Sequence, residues 1–382
     1  MILVSVAHYP PAYLAGGPTR SVSAIVNRFG SRTDFRVITS AHDLGRTESL
    51  PSIDPNRWTG TDPRRHYVSR SWAPVRVVRA ARSVRHDVLY LNSVFSLVFS
   101  FTPLFFRRIG LLDRTALVVA PRGELGEGAL SLKRRRKAIY LSMLRRLGLI
   151  VDATWHATTD LEAADISEAF GIGVSIVVAP NIAGVGKISM RTHHKQSGVL
   201  RVAYLSRIVP KKNLRTAISY LNSVRGAIDF DIYGPIEDRR YWEEIRGEIR
   251  KLPSNVNVRY RGSVVGSAVN ECLAEHDLFL LPTLGENFGY AIVEAMSAGC
   301  PVLISDRTPW RDLEVRHAGW TVPLAEPDRF RSVLQTCVDM SHEEHQQWVN
   351  GAREYAARLD DNSEIQRSYE TLFPQHRDRL AD

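Results

Sequence analysis

Short apolar runs alternate with amphipathic stretches over the whole chain. Each run is four to six residues long and rich in Val, Ile, Leu and Phe, which is typical of strands buried on both faces of a sheet. Apolar residues recur at helical spacing between the runs, as in residues 19–29 and 132–147. This alternation predicts α/β units with a parallel sheet. The predicted strands are residues 2–7, 35–39, 88–91, 116–120, 152–156, 176–179, 200–205, 229–233, 256–260, 278–281 and 301–305.

The strand–helix alternation restarts after a polar stretch at residues 183–198, where His193, His194 and Gln196 accompany several glycines. We therefore predict two doubly wound domains, residues 1–185 and 198–365. A chain of 382 residues is long enough for two cores of ordinary size. Two such domains facing each other would place a ligand crevice at the carboxyl ends of both sheets.

Composition supports a soluble globular protein, with 44% hydrophobic and 24% charged residues. Three widely spaced cysteines, Cys272, Cys300 and Cys337, suggest neither a disulfide framework nor a zinc site, and they fit a reducing cytoplasm. The apolar start at residues 1–7 has no basic region before it, so we predict a strand and not a signal peptide. Residues 88–106 carry no charge over nineteen positions. Their polar residues favour a buried strand and helix over a membrane span.

The positive charge belongs to the first half of the chain. Residues 1–180 hold 24 Lys and Arg against 14 Asp and Glu, whereas residues 181–382 hold 26 against 27. The densest basic segment is 133–146, where Ile139, Met143, Leu144 and the following Leu147 suggest an apolar face opposite a basic one. A solvated surface helix explains this pattern, and so does attraction to anionic lipid or to a phosphate-bearing acceptor. Nucleic acid is not expected, because no nucleic-acid-binding motif accompanies the charge.

Two glutamates in the second half form the most specific motif. Glu286 follows a predicted strand, and Glu294 comes in the second turn of a predicted helix, with Gly289 between them. The glycine permits close approach of a ligand, the helix amino terminus can hold an anion, and carboxylates accept hydrogen bonds from paired sugar hydroxyls. The structural alternative is a helix cap and a surface ion pair. Arg207 and Lys212 follow another strand, where phosphate is expected, although strand-end cations are often only surface charges.

With these residues, the chain resembles family 4 of the retaining glycosyltransferases, which have the GT-B fold of two facing Rossmann-like domains and an interdomain cleft. The similarity is carried by residues 205–212 and 286–301 and runs over nearly the whole chain. It also includes Gly16-Gly17, Pro180-Asn181, Gly234 and Gly262.

The resemblance implies roles for individual residues. Arg207 and Lys212 would bind the donor diphosphate, Glu286 would contact the transferred sugar, and Glu294 would contact the ribose. No metal is expected, because the leaving phosphate itself takes the acceptor proton in the family's usual mechanism. The remaining donor-site residues implied are Asn287, Phe288, Gly289 and Tyr290 around the sugar and phosphates, Tyr233, Gly234 and Val264 near the nucleobase, and Gly16 and Gly17 over the phosphates.

The acceptor-binding residues in 1–185 are harder to identify from the sequence. Many family members have histidines at two strand ends where this chain has Asn92 and Arg122. His8 and His156 remain candidates, although a lone histidine is more often packed or solvated than catalytic. The Gly16-Gly17 loop is alternatively only a flexible turn. The strings around Asn92, Arg122 and His156 resemble a branch of the family linked to surface polysaccharide assembly, and a helix at about 366–382 is expected to pack on this domain.

We therefore expect a retaining hexosyltransferase that takes a nucleotide-diphosphate sugar and a glycan or lipid-linked acceptor, in the cytoplasm or at the inner membrane face. Rival hypotheses are a degenerate GT-B protein that only binds sugar, an epimerase or phosphorylase on the same fold, and a nucleic-acid binder. The Asp229-Phe230-Asp231 string lies inside a predicted strand, so its carboxylates are interpreted as structural and not as metal ligands.

Overall fold

A computed structural model describes residues 1–126, 130, 134–183, 194–264, 268–360 and 363–373. Contacts divide the chain into two compact units. Unit 1 is Met1–Ile182 with Asn362–Asp382, and unit 2 is Ala183–Asp361. Lys133, most of the predicted boundary segment and the end of the predicted carboxyl-terminal helix lie outside the described residues.

Unit 1 is built on a sheet that has eight strands over the described residues, in the order β3-β4-β2-β1-β5-β6-β7-β8. All neighbouring pairs are parallel except β3 and β4. The strands are β1 (Ile2–Val6), β2 (Phe35–Ser40), β3 (Trp58–Thr59), β4 (Arg64–Val68), β5 (Val88–Asn92), β6 (Ala116–Ala120), β7 (Ala153–Ala157) and β8 (Ser175–Val178). The helices between them are α1 (Gly17–Phe29), α2 (Ala73–Arg82), a π-helical turn (Leu97–Phe101), α3 (Thr102–Arg108), α4 (Arg134–Arg146) and α5 (Asp160–Phe170).

Unit 2 has a wholly parallel sheet of six strands over the described residues, in the order β11-β10-β9-β12-β13-β14. The strands are β9 (Val199–Leu205), β10 (Ala227–Tyr233), β11 (Val256–Gly262), β12 (Leu278–Leu281), β13 (Val302–Ser305) and β14 (Gly319–Val322). The helices are α6 (Leu214–Leu221), α7 (Arg239–Ile249), α8 (Ala268–Ala274), α9 (Tyr290–Ser297), α10 (Pro327–Asp339) and α11 (His342–Asp360). Every residue of β12 is buried, as expected for a strand covered on both faces.

The last helix among the described residues, α12 (Ser363–Leu372), belongs to unit 1. Its Tyr369 packs against the Phe29 ring at a centroid distance of 5.1 Å and donates a hydrogen bond to the Pro180 carbonyl at 3.1 Å. The chain therefore returns to its first unit after completing the second.

Both sheets are doubly wound, as predicted. From β1 the chain proceeds to β2 and β4 on one side, and from β5 to β6, β7 and β8 on the other, so the strand order reverses between β1 and β5. In unit 2 the same reversal lies between β9 and β12. In such sheets, ligands bind at the carboxyl ends of the two strands that flank the reversal. The sheet order thus marks one candidate location in each unit.

All eleven predicted strands are present, with ends shifted by at most two residues. β3, β4 and β14 were not predicted. The uncharged segment 88–106 forms β5, the π-helical turn and part of α3, which confirms the strand-and-helix interpretation. Within the described parts of the chain, no helix is both long and apolar enough to cross a membrane.

The predicted apolar face of the basic helix is wrong in detail. In α4 the buried residues are Leu141 and Leu144, whereas Ile139 is 70% exposed and Leu147, just after the helix, is 44% exposed. The reason is tertiary: Tyr140, beside Leu141, packs on the Phe95 ring at 5.5 Å, which turns Ile139 outward.

Candidate active site

Four predicted site residues lie beside the strand reversal of unit 2. Arg207 and Lys212 follow β9, and Glu286 follows β12, the strand next to β9. Lys212 Nζ donates to Glu286 Oε1, and each side chain is only 13% exposed. Glu294 lies half-buried in the second turn of α9. The sheet order therefore brings together groups that are far apart in the sequence.

Hydrogen bonds to backbone carbonyls fix the position of the loop that carries Lys212. The Asn213 side-chain amide donates to the Pro282 carbonyl at 2.8 Å, and the Leu284 N–H donates to the Lys211 carbonyl at 2.9 Å. The Tyr204 hydroxyl donates to the Lys212 carbonyl at 3.1 Å. Burial, with the nearby Glu286 carboxylate as a smaller cause, raises the pKa of Tyr204 well above its usual value, so this hydroxyl keeps its proton.

The Glu286 loop is held from the other side. The Glu286 N–H donates to the Arg307 carbonyl at 2.8 Å, and the Trp310 indole N–H donates to the Phe288 carbonyl at 2.8 Å. Gly289, the N-cap residue just before α9, has a φ of 81°, and a Cβ there would lie 2.7 Å from the Ile292 side chain. Gly289 is thus required by the backbone as well as by the ligand approach that the sequence suggests.

Arg207 forms an ion pair that the sequence did not predict. Its Nη1 lies 2.9 and 3.1 Å from the two carboxylate oxygens of Glu237, in the loop after β10. The Glu237 loop runs beside the Arg207 loop, because the Ile208 N–H donates to the Pro235 carbonyl at 2.9 Å. Gly234 makes this close approach possible.

The residues implied near the nucleobase lie at the carboxyl ends of β10 and β11. Tyr233 is the last residue of β10 and is buried, and the Tyr260 hydroxyl donates to the Gly234 carbonyl at 2.8 Å. Val264 packs partly buried against the core of unit 2. Tyr290, the first residue of α9, packs its ring on Phe288 at 4.8 Å.

The Asp-x-Asp string lies inside β10, as predicted. Asp231 is buried, and its carboxylate contacts Arg259 at 2.7 Å, Arg261 at 3.3 Å and His276 at 3.4 Å. Burial opposes its ionisation, but the hydrogen bonds from His276 and the two arginines hold the pKa of Asp231 below its usual range. These partners agree with the structural interpretation of the two carboxylates.

In unit 1, three of the four acceptor-side candidates form one network. Arg122 donates to the Asn92 side-chain oxygen at 3.0 and 3.1 Å and to the Tyr90 hydroxyl at 2.5 Å, and Tyr90 reaches His156 Nδ1 at 2.6 Å. His156 is fully buried, with Nε2 on the Ala179 carbonyl at 2.8 Å. Burial first, and the Arg122 charge second, lower the pKa of His156 well below its usual value. His156 is therefore a neutral structural member of the network and not an exposed base.

The strings around Asn92 and Arg122 are joined by Glu124. Its carboxylate accepts hydrogen bonds from the Ser93 hydroxyl at 2.8 Å and from the Val94 N–H at 2.7 Å. Glu124 thus holds the turn after β5 against the turn after β6. Arg122 has a positive φ of 56°, a backbone conformation that few non-glycine residues adopt without support.

His8 and the two glycines lie after β1, the other strand at the reversal of unit 1. His8 Nδ1 lies 3.2 Å from the His42 carbonyl, and burial lowers its pKa. Asp43 anchors this loop by accepting hydrogen bonds from the Tyr13 N–H at 3.0 Å and the Leu14 N–H at 3.1 Å. Gly16 needs its positive φ of 69°, whereas a Cβ on Gly17 would meet no atom within 4 Å. The space beside Gly17 is open.

Sequence reasoning missed three supporting residues. Glu237 and Asp43 are ordinary loop carboxylates with no local pattern, so only the three-dimensional arrangement reveals their partners. Asn181 accepts from Arg122 at 3.2 Å and also from Ser21. It was noted only as part of Pro180-Asn181, and no spacing rule connects it to Arg122.

Comparison with known proteins supports the resemblance to glycosyltransferases that the sequence indicates. Residues 199–339 match the family profile of glycosyl transferases group 1. A phosphatidyl-myo-inositol mannosyltransferase of Mycobacterium leprae is 30% identical over 241 residues. The alignment spans 57% of this chain and 61% of that protein, so it covers less than two thirds of the relative.

Solved structures resemble the chain over nearly its whole length. Anabaena HepE, in a complex with UDP and glucose, has a TM-score of 0.68 at 17% identity, covering 98% of this chain and 99% of that one. Sucrose-phosphate synthase from Thermosynechococcus elongatus has a TM-score of 0.70 at 15% identity, covering 98% of each chain. At these identities the likeness is one of fold. Residues 199–339 in unit 2 thus match the glycosyl transferases group 1 family, and the chain has the GT-B fold.

Proposed function

We propose that the chain is a retaining glycosyltransferase that moves a hexose-type sugar from a nucleotide-diphosphate sugar to a glycan or lipid-linked acceptor in cell-surface polysaccharide synthesis. The observation that carries this proposal is the largely buried Lys212–Glu286 pair at the strand reversal of unit 2. A cation for phosphate and a carboxylate for sugar hydroxyls thus lie side by side where this fold binds ligands. The group 1 family profile covers the same residues.

Each group in unit 2 has a proposed task. Arg207 and Lys212 would hold the diphosphate and stabilise the charge that it gains as the glycosidic bond breaks. Glu286 would accept hydrogen bonds from the transferred sugar, and Glu294 from the ribose. Residues 287–290 would line the sugar and phosphate pocket with their backbone groups, while Tyr233, Gly234 and Val264 would face the nucleobase.

Retention of configuration follows in this proposal from attack on the face that the diphosphate leaves. The leaving phosphate takes the acceptor proton, so neither a covalent sugar–enzyme bond nor a metal ion is required. The ion pairs of Asp231 with arginines support this, since they leave the Asp-x-Asp string poorly suited to bind a cation. We expect undiminished turnover after treatment with EDTA, and loss of turnover that Mg²⁺ or Mn²⁺ restores would refute this part.

The acceptor would be lipid-linked and reached at the inner membrane face. The relative from Mycobacterium leprae is named for a phosphatidyl-inositol lipid. In unit 1, exposed arginines on α4 surround Ile139, which is 70% exposed. Basic residues around an exposed apolar side chain favour an anionic lipid surface. Vesicles with and without phosphatidylglycerol at low salt test this, and equal recovery of the protein with both would refute it.

Purified protein tests the activity itself. Thermal shift with UDP, GDP, ADP and their sugars identifies the nucleotide, because a ligand specific to the folded state raises the melting temperature. Donor turnover then compares the unsubstituted protein with Lys212→Ala and Glu286→Ala variants. Unimpaired turnover in both variants would refute the site. Conversion of the donor sugar without acceptor would instead indicate an epimerase, and sugar binding without turnover would indicate a degenerate member.

A further inference from the structure

We infer that Glu237 is the resident counter-ion of Arg207 and that the diphosphate of the donor displaces it. Glu237 would therefore set how tightly unit 2 binds nucleoside diphosphates. This inference rests on the proposed function, in which Arg207 binds the diphosphate, and it adds a residue to that site.

The contact is direct and specific. One terminal nitrogen of Arg207 lies 2.9 Å from one carboxylate oxygen of Glu237 and 3.1 Å from the other. Both side chains are partly exposed, Arg207 by 40% and Glu237 by 31%. Exposed ion pairs contribute little net stability, because water screens them and two long side chains must be ordered. The pair can therefore open for a ligand at low cost.

The backbones of the Arg207 and Glu237 loops cannot separate as easily as the two side chains. The Ile208 N–H donates to the Pro235 carbonyl at 2.9 Å, and the Asp238 N–H donates to the Ile208 carbonyl at 3.3 Å. A Cβ on Gly234 would lie 1.8 Å from the Ser206 carbonyl oxygen, so the two loops are in close backbone contact. Any exchange of partners by Arg207 must therefore be a rotation of side chains over two fixed loops.

The charges of the site indicate whether removal of the Glu237 charge strengthens or weakens diphosphate binding. Arg207 is paired with Glu237 and Lys212 with Glu286, so two of the site's cations are matched by two carboxylates. An incoming diphosphate adds negative charge beside both pairs. Glu286 has a further proposed partner in the sugar hydroxyls, whereas Glu237 would only compete for Arg207 and repel the ligand. Removing the Glu237 charge should therefore tighten diphosphate binding.

The experiment is a double-mutant cycle on binding. Calorimetry measures the Kd of UDP, GDP and ADP for the unsubstituted protein, Glu237→Gln, Arg207→Gln and the double variant, at low and high salt. Glu314→Gln is the matched control, because Glu314 pairs with Arg329 at the same 2.9 Å on the surface of unit 2. We expect Glu237→Gln to tighten binding about three- to tenfold at low salt and less at high salt, because salt screens exposed charges.

The same substitution in the Arg207→Gln background should change the Kd by less than about twofold, because the competition is then already gone. The control should leave the Kd unchanged. If the unsubstituted protein binds a diphosphate and Glu237→Gln does not tighten it, or tightens it equally without Arg207, the inference is wrong while the proposed function stands. If the unsubstituted protein binds none of UDP, GDP and ADP, the proposed function fails and the inference with it.

Discussion

The Lys212 ammonium and the Glu286 carboxylate form an ion pair although 74 positions separate them in the sequence. The pair exists because β9 and β12 are neighbours in the sheet, so the loops that leave these strands meet. Each side chain is only 13% exposed, so each charge is stabilised mainly by the other and little by water. Removing one partner would leave the other charge largely desolvated.

This dependence predicts that a double substitution restores stability without restoring activity. Lys212→Met should lower the free energy of unfolding by about 1–3 kcal/mol, because the Glu286 carboxylate loses its partner. Adding Glu286→Gln should restore part of that loss, since no unpaired charge then remains. Both variants should lack donor turnover. Chemical denaturation and a turnover assay measure the two effects, and additive losses in the double variant would contradict the coupling.

A second prediction concerns Gly234. A Cβ at this position would lie 1.8 Å from the Ser206 carbonyl oxygen, and the φ of 133° is one that alanine rarely adopts. Gly234→Ala should therefore cost roughly 2–4 kcal/mol of stability and displace the loop with Arg207. Gly247→Ala in α7 is the control, because a Cβ there meets no atom within 4 Å. Equal melting temperatures for the two variants would contradict the close packing of the two loops.

The fold was predictable in large part because central strands such as β6 and β12 are covered on both faces of their sheets and are therefore unbroken apolar runs. β12 is entirely buried and its predicted ends are those observed. β4 was missed because it begins with Arg64 and Arg65 and reads as polar, and β3 because it has only two residues, Trp58 and Thr59. Pairing with β2 overrides the polar composition of β4.

The candidate site was predictable only in part, because only some of its residues belong to one continuous string. Glu286 and Glu294 belong to one continuous string, so local spacing was enough to select them. The partner of Arg207 lies in another loop, and no pattern around Glu237 connects the two residues. His156 was only a candidate for the acceptor side, and its complete burial could not be read from its position at a strand end.

The open space beside Gly17 gives a third prediction. A Cβ at Gly17, the first residue of α1, meets no atom within 4 Å, and the backbone there is not left-handed. Gly17→Ala should therefore leave stability within about 0.5 kcal/mol of the unsubstituted protein. If a ligand approaches this loop closely, donor turnover should nevertheless fall at least about tenfold, which corresponds to about 1.4 kcal/mol in binding the transition state. Gly173→Ala, also free of neighbours, is the control, and full turnover in Gly17→Ala would exclude a close approach.

A fourth prediction tests the lipid surface through one exposed side chain. Ile139 on α4 is 70% exposed among arginines, and Ile172 elsewhere in unit 1 is 99% exposed. Ile139→Asp and Ile172→Asp introduce the same charge at exposed positions. Only Ile139→Asp should weaken sedimentation with anionic vesicles, because it removes apolar contact and adds repulsion at the proposed surface. Equal binding by both variants would place the membrane contact elsewhere or exclude it.

The buried His156 gives the last prediction, on pH. Its folded-state pKa lies well below 6.5, while in the unfolded chain it titrates at about 6.5. The unfolded state therefore binds more protons as the pH falls, so the contribution of His156 to stability is present above pH 6.5 and is lost below it. Between pH 7.5 and 5.5 this single group should reduce the free energy of unfolding by at most about 1.4 kcal/mol.

His156→Gln removes the titrating group, so its stability should fall less steeply over that interval than that of the unsubstituted protein. The variant should be less stable at pH 7.5, because the Tyr90 hydroxyl and the Ala179 carbonyl lose the partners that the imidazole provides. The other histidines with lowered pKa values, such as His8 and His86, titrate in both proteins and cancel in the difference. Urea denaturation at several pH values measures both slopes. Equal slopes would mean that His156 becomes protonated in the folded protein, which its burial beside the Arg122 charge argues against.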